Sequence, residues 1–363
     1  MASSSPSPSF DPDRPLPAPP DPWRASDVPS VRPGPPFLMT EMIEAEPALA
    51  VRLLGSASLR EGARRLAAAV VDTANDGLPI VVTGCGTSEH GAIAIADQLA
   101  EALRATGRRS DMVRSEQAFE LALDPPTAGL VIGVSHEGGT AATNHALEAA
   151  KQAGAELAVV TAAGRSPAAE LAGHALVLAT NEVDQSWCHT VAYVSAIVAG
   201  AVVAGTIAEQ PVDADAVRAL LAGPLREPAP VESAAAVVAR ASRIVVVGSG
   251  ADRAAGRELV LKLEEGAALP SAYRDLETFL HGHLAGVDAT DVLVAILVDR
   301  RSGRDRADRG RQLLAAAAEV GMPAVGILSP VASGRIPPEL TAARILVEDG
   351  PTLPATTAAL VGT

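Results

Sequence analysis

VVTGCGTS, residues 81–88, has the pattern of a buried strand that ends in a Gly-x-Gly turn and leads into an alanine-rich helical run. The same pattern returns as VVVGSGAD, residues 245–252, so that Gly248 repeats Gly84 after 164 residues. Solenoid repeats have periods of roughly 20–50 residues, so a period this long indicates two domains of one fold. Paired α/β domains usually bind a ligand between them or at the carboxyl ends of their strands.

Each copy belongs to an alternation of apolar strand patterns and amphipathic helical patterns. For the first half we predict strands at 79–83, 111–114, 129–134, 156–161 and 175–178, and helices at 40–54, 59–75, 88–106, 116–122, 140–153, 166–171 and 186–209. For the second half we predict strands at 243–247, 271–274, 292–298 and 324–328, and helices at 231–241, 251–266, 276–281, 304–320 and 354–361. The alternation predicts an α/β fold with two doubly wound, flavodoxin-like parallel-sheet domains in tandem.

Proline marks the predicted domain boundaries. Residues 1–38 contain twelve prolines and little apolar surface to bury, which predicts a disordered tail, with a proline-motif ligand as the alternative. We assign residues 39–222 to the first domain and its leading helix, and residues 223–350 to the second. Residues 351–363 are predicted to form a C-terminal helix or tail.

Composition excludes several functional classes. The formal net charge of −14 argues against a nucleic-acid partner, because a phosphate backbone requires a basic surface. No apolar run reaches the roughly 18 residues of a membrane span, and the start lacks the features of a signal peptide, so we expect no membrane partner. Two cysteines are too few for a disulfide framework or a zinc site, which favours a reducing cytoplasm.

Two polar loops follow apolar strands. Residues 85–88 (CGTS) enter the helix after the first strand, and residues 135–140 (SHEGGT) enter the helix after the third. Free N–H groups and the helix dipole at such turns bind anions, and hydroxyls add directed donors. Alone, the first turn is an ordinary βα turn with an N-cap serine, but two loops at neighbouring strand ends can hold one anion from two sides.

Further motifs accompany these loops. They are MTEMIE at 39–44, AAK at 149–151 and ELVLKLEE at 258–265, with His281-Gly282 following Glu265 after sixteen residues. Together with the two loops, they resemble the sugar isomerase (SIS) domain family, in the tandem arrangement of the isomerase half of the glucosamine-6-phosphate synthases. The resemblance extends over about residues 39–362. It implies two SIS-type domains and an activity on sugar phosphates, without a cofactor.

The resemblance also implies roles for individual residues. The hydroxyl-rich loops of the first domain hold the sugar phosphate in the family, which gives a substrate-binding set of Cys85, Gly86, Thr87, Ser88, Ser135, His136, Glu137 and Thr140. Glu265 is implied to move a proton between C1 and C2 of the sugar. His281 is implied to open the sugar ring in the site of the partner subunit, so we expect a homodimer.

Lys262 is a third catalytic candidate. It lies three residues before Glu265 and therefore on the same helix face. Its ammonium group can stabilise an enediolate oxygen or hold Glu265 ionised. The alternative is a surface ion pair that contributes a few tenths of a kcal/mol.

The chain departs from the synthases at both ends. Its second residue is Ala2 rather than a nucleophilic cysteine, so we expect no glutamine-fed amination by this chain. No lysine follows Lys262, although the synthases form a Schiff base through a lysine near their C-terminus. Either no residue of this chain takes the role of that lysine, or Lys262 does. The difference favours isomerisation, hydrolytic deamination or deglycation over synthase chemistry.

The second loop also departs from the family. It has Glu137 where the family sequence Ser-Gln-Ser-Gly-Glu-Thr has a hydroxyl. A carboxylate ~4 Å from a phosphate is unfavourable by about 4 kcal/mol per unit charge pair at an effective dielectric constant near 20. Either Glu137 turns outward or the ligand is not a simple phosphate and carries an amine; a protonated His136 would offset part of the repulsion.

Glu182 and His189 lie in the segment that lines the sugar site in relatives. At a helix start they can face one side and form a second acid–base pair; the alternative for His189 is helix capping. Cys85 and Cys188 are interpreted as structural. His281 and His283 lack the carboxylate or cysteine spacing of a metal site, so no metal is predicted.

The sequence therefore predicts an isomerase that moves a proton between C1 and C2 of a sugar phosphate or amino-sugar phosphate, or a related amino-sugar deaminase. The alternative is a sensor that binds a sugar phosphate without catalysis. A nucleotide-binding Rossmann domain is disfavoured, because the turn at 84–89 lacks the third glycine of that fingerprint.

Overall fold

The structure, a computed structural model, describes residues 34–35, 37–178, 180, 188–301, 303–348 and 354–361. Most of the predicted proline-rich tail lies outside these residues, so the prediction about it stays a prediction. Within the described part of the chain, no helix is both long enough and apolar enough to cross a membrane.

Ten strands form two parallel sheets of five. The first sheet contains β1 (Ile80–Gly84), β2 (Val113–Gln117), β3 (Leu130–Val134), β4 (Glu156–Thr161) and β5 (His174–Val177), in the order β2-β1-β3-β4-β5. The second contains β6 (Arg243–Gly248), β7 (Ser271–Asp275), β8 (Asp291–Leu297), β9 (Ala324–Leu328) and β10 (Ala343–Leu346), in the order β10-β9-β8-β6-β7. Read from the other edge, the second order repeats the first, which confirms the predicted tandem of doubly wound domains.

Helices cover the sheets. Those before the second sheet are α1 (Leu38–Gly55), α2 (Ala57–Asn75), α3 (Thr87–Ala105), α4 (Ala118–Leu123), α5 (Ala141–Ala153), α6 (Pro167–Leu171), α7 (Val191–Ile207) and α8 (Ala214–Arg226). The later ones are α9 (Ala229–Val238), α10 (Asp252–Ala267), α11 (Leu276–Leu280), α12 (Gly303–Glu319), α13 (Pro330–Arg335) and α14 (Pro354–Leu360). Every residue of β1, β3 and β8 is buried, as expected for parallel strands covered on both faces.

Several bounds differ from the prediction. The helix predicted at 186–209 begins at Val191, where the apolar surface that packs against α1, α2 and α3 starts. Helix α8 was not predicted. It begins after Asp213, whose carboxylate accepts hydrogen bonds from the N–H groups of Asp215 and Ala216, and it contains Pro224. Strand β10 was also missed; three of its four residues are at least partly exposed at the sheet edge.

Helix α3 joins the two domains. It packs on β1 and β2 of its own sheet and also against α10 of the second domain. Helix α14, which follows the second sheet, packs back onto α3, α7 and α10. The N-termini of α3 and α10, each entered through a Gly-x-Gly turn, therefore belong to helices in direct contact.

Candidate active site

The first turn is shaped by two glycines. A Cβ atom on Gly84 would lie 2.6 Å from the carbonyl oxygen of Ser88, so the close return of the chain requires glycine. Gly86 has φ +57°, the left-handed region that glycine adopts without strain. A Cβ atom on Gly86 would meet nothing within 4 Å. The turn therefore ends in open space directly before Thr87, the first residue of α3.

The second loop lies beside this turn, because β3 pairs with β1 along its length. Ser135 is buried at the end of β3, and its Oγ lies 3.5 Å from Oγ1 of Thr140. Thr140 is the N-cap of α5, yet its hydroxyl makes no capping hydrogen bond. The loop is held by its backbone: the Gly138 carbonyl accepts from Asn144 Nδ2 at 3.3 Å and from the Ala168 N–H at 3.1 Å.

Glu137 is exposed at the tip of this loop. Its carboxylate has no ion-pair partner among the described residues. The exposure favours the first of the two expected outcomes, in which Glu137 turns outward.

A buried carboxylate connects the first turn to the second domain. Glu258 of α10 has a side chain that is 1% exposed. Its Oε1 accepts from Thr87 Oγ1 at 3.2 Å, and its Oε2 lies 2.7 Å from His90 Nδ1. Because a hydroxyl has one proton, Thr87 cannot also donate to a ligand in this arrangement. The Thr87 N–H group and the Ser88 hydroxyl remain as donors at this turn.

Lys262 lies between Thr87 and Glu265. Its Nζ donates to Thr87 Oγ1 at 3.1 Å and to Glu265 Oε2 at 2.8 Å, and it lies 3.3 Å from Glu258 Oε1. The lysine side chain is 12% exposed and that of Glu265 is 37% exposed. The structure thus places the carboxylate of Glu265 one side chain away from the first turn.

The charge state of Lys262 follows from these neighbours. Burial lowers the pKa of the amine, but the charge of Glu258 and the hydrogen bond and charge of Glu265 outweigh burial and hold the pKa above its ordinary value. Lys262 is therefore an ammonium group at neutral pH and not a free amine. This favours a role in stabilising negative charge over the formation of a Schiff base.

Two cysteine thiols lie near the site: Cys188, beside Lys262 and Glu265, and Cys85, in the first turn. Burial, together with the nearby charges of Glu265 and Glu258, raises the pKa of the Cys188 thiol to about 11 against the opposing charge of Lys262. Burial likewise raises the pKa of Cys85. Both thiols are protonated at neutral pH, which disfavours nucleophilic catalysis.

His189 lies outside α7, contrary to its predicted place in a helix, because α7 begins two residues later. Its ring centroid is 5.4 Å from that of His136 in the second loop. Its proposed partner Glu182 lies outside the described residues, so the predicted acid–base pair stays a prediction.

Comparison with known proteins identifies the domain type. A family model described as SIS domain matches residues 78–208 and 238–328. The chain belongs to the SIS domain family. The two matched segments contain the two Gly-x-Gly turns and the strands β1 and β6 that precede them. No curated protein sequence matches the chain.

Solved structures share the tandem SIS fold. The C-terminal domain of glucosamine-fructose-6-phosphate aminotransferase from Francisella tularensis has 17% identity and a TM-score of 0.73, over 92% of this chain and 96% of that chain. Tagatose-6-phosphate ketose/aldose isomerase from Escherichia coli has 19% identity and a TM-score of 0.67, over 90% and 92%. Glucosamine-6-phosphate deaminase from Thermotoga maritima has 15% identity and a TM-score of 0.62, over 90% and 92%. At these identities the likeness shows the fold.

His281 is not part of the cluster formed by this SIS chain. It caps α11 in the second domain, its side chain is 75% exposed, and its Nε2 lies 3.2 Å from Glu277 Oε2. Within the described residues, no three side chains of His, Cys, Asp or Glu form a metal-binding group.

Sequence reasoning did not assign a role to Glu258 or His90. Glu258 lies four residues before Lys262, and His90 lies three residues after Thr87, so each shares a helix face with a predicted site residue. That spacing was the available signal. The spacing does not show that the helix face of His90 contacts the helix face of Glu258, because these two residues are 168 positions apart in the chain.

Proposed function

We propose that this SIS protein is a sugar-phosphate isomerase or an amino-sugar-phosphate deaminase, and that Glu265 moves the proton. One observation carries the proposal: Lys262 bridges Thr87 of the first turn and Glu265 through contacts of 3.1 and 2.8 Å. A carboxylate and an ammonium group therefore stand beside a turn suited to anions. The names of its structural relatives, a tagatose-6-phosphate isomerase and a glucosamine-6-phosphate deaminase among them, agree with this class.

Each of these groups has one role in the proposed reaction. The phosphate binds at the N–H groups of the first turn and at the hydroxyls of Ser88, Ser135 and Thr140. Glu265 accepts the proton from the carbon beside the carbonyl and returns it to the former carbonyl carbon, which converts an aldose to a ketose. In a deaminase the same transfer converts the C2 amine to an imine, which water hydrolyses to the ketone with release of ammonia. The negative charge that develops on the enediolate oxygen is stabilised by the Lys262 ammonium group.

Binding is tested by the melting temperature of the protein with a panel of compounds. The panel contains inorganic phosphate, fructose 6-phosphate, tagatose 6-phosphate, glucosamine 6-phosphate and the three sugars without phosphate. A ligand at 100 times its Kd stabilises the folded state by about 2.7 kcal/mol, so a phosphosugar ligand will raise the melting temperature clearly. Ser135→Ala should reduce this shift, whereas Ser233→Ala, which changes an exposed residue of α9, should leave it unchanged.

Three results of the panel decide between the candidates. A shift from phosphosugars with turnover supports the proposed enzyme. A shift from phosphosugars without turnover, unchanged by Glu265→Gln, indicates the non-catalytic sensor. A shift only from unphosphorylated amino sugars contradicts the phosphate site and gives Glu137 the role of an amine ligand.

We further propose that His281 acts across a homodimer, because its exposed side chain has no contact with the Glu265 cluster of its own chain. Glu265→Gln and His281→Asn are each expected to be inactive. Mixing them under subunit exchange should restore about a quarter of wild-type activity, because half of the dimers then contain one intact site. Native mass spectrometry verifies exchange; mixed dimers without activity contradict action across the dimer.

A further inference from the structure

The turn after β6 repeats the turn after β1, but the two differ in what lies next to them. Gly250 has φ +62° and Gly86 has φ +57°, so the two glycines adopt the same left-handed backbone region. A Cβ atom on Gly86 would meet nothing within 4 Å, whereas one on Gly250 would come closer than 3.0 Å to Asp299 Oδ2 and to Arg306 Nη2. The first turn is open and the second is filled by side chains of the protein.

Asp299 occupies the second turn. It follows β8, the strand that corresponds to β3, so it comes from the counterpart of the loop that begins with Ser135. Its Oδ2 accepts a hydrogen bond from the Ala251 N–H at 2.9 Å. Ala251 is the counterpart of Thr87 in the repeat. The Asp299 carboxylate thus receives an N–H group at the start of α10, where a bound anion would receive one at the start of α3.

Two arginines surround the same carboxylate. Arg301 Nη2 and Arg306 Nη1 lie 2.8 and 2.9 Å from Asp299 Oδ2, and the Asp299 side chain is 0% exposed. Burial raises the pKa of Asp299, but hydrogen bonds from Arg301 and from the Ala251 N–H and the charges of both arginines outweigh burial and lower the pKa below its ordinary value. Asp299 is therefore ionised at neutral pH.

The same interaction fixes the helix that faces the candidate active site. Helix α10 begins at Asp252 and carries Glu258, Lys262 and Glu265. The residue directly before it, Ala251, donates its N–H group to Asp299. An anion at its start stabilises the helix through the macrodipole. In the first domain that place is open, and in the second it is occupied by Asp299.

We propose that the Asp299 carboxylate takes the place of a bound anion at the second turn. Each chain then has one open anion site, at the first turn, and an α10 whose start is held without a ligand. The two SIS domains then differ in role: the first binds the anion and the second supplies a helix held without ligand. The role of Asp299 at the second turn does not depend on the proposed enzymatic activity; the role of the first domain rests on the phosphate site of the proposed function.

The test compares inorganic phosphate binding by wild type and Asp299→Ala, measured by equilibrium dialysis at low ionic strength. Removal of the carboxylate takes away the direct partner of Arg301, Arg306 and the Ala251 N–H group, although the charges of Asp97 and Glu101 still act on Arg301. The variant should bind one more phosphate per chain than wild type, and phosphate should raise its melting temperature more. Asp305→Ala, which removes an exposed aspartate of α12, should behave as wild type.

The comparison separates this proposal from the proposed function. If the first turn does not bind phosphate, wild type binds none and Asp299→Ala still binds one. A folded Asp299→Ala variant without the additional phosphate overturns the proposal, and so does a wild-type chain that binds a second phosphate at a site lost on Arg306→Ala. If the variant folds only when phosphate is present, that dependence supports the proposal. If it folds in neither condition, Arg306→Ala decides: the same phosphate stoichiometry as wild type supports the proposal, and the loss of a phosphate overturns it.

Discussion

Glu265→Gln is expected to reduce turnover by about 10²–10⁴-fold, the contribution typical of a general acid–base group, and to leave sugar-phosphate binding nearly unchanged. Glutamine keeps the shape of the side chain and can still accept a hydrogen bond from Lys262, but it cannot accept a proton from carbon. The proposed phosphate contacts all come from the first domain, so we expect the anion still to bind.

The measurement is the exchange of the sugar C2 hydrogen with deuterated water, followed by proton NMR. It reports proton transfer even where net isomerisation is slow. Glu264→Gln is the matched control, because Glu264 is the preceding residue of α10 and is exposed. Undiminished exchange in Glu265→Gln, with normal exchange in the control, would remove Glu265 from the mechanism.

Glu258→Ala is expected to lower the free energy of unfolding by about 3–5 kcal/mol, the effect of removing one partner from a buried ion pair. Lys262 and His90 have side chains that are each 12% exposed, so water replaces the lost carboxylate poorly. The interaction joins α3 to α10, and its loss should also weaken phosphosugar binding, because Thr87 belongs to the first turn. Lys262 retains its ion pair with Glu265 in this variant. We therefore expect a loss at the lower end of this range.

Urea unfolding measures this change, with Glu258→Gln beside Glu258→Ala. Glutamine keeps the volume and removes the charge, so a similar loss in both variants assigns the effect to the charge rather than to a cavity. Glu264→Ala on the exposed face of α10 should change the free energy of unfolding by no more than about 0.5 kcal/mol. A loss below about 1 kcal/mol in Glu258→Ala would contradict a buried, charge-dependent contact between the domains.

The architecture could be predicted because its signals are local. A run of apolar residues followed by a Gly-x-Gly turn is typical of a buried strand that leads into a helix, and the chain contains this pattern twice. Helix α13 was not predicted either, and two of the missed elements, α8 and β10, lack such signals. Pro224 interrupts the pattern of α8, and β10 at the edge of its sheet is only partly buried, so neither has the full apolar period of the central elements.

The amino-acid sequence by itself determined the two SIS domains, the two hydroxyl-bearing loops and the shared helix face of Lys262 and Glu265, because each depends on residues close together in the chain. Only the tertiary structure showed that Glu258 meets His90 and Thr87, that Lys262 is held as an ammonium group, and that Asp299 fills the second turn while the first stays open. Those properties depend on burial and on charges brought together from distant segments. Two turns with corresponding left-handed glycines therefore differ because the neighbouring loop begins with Ser135 at one and supplies Asp299 at the other.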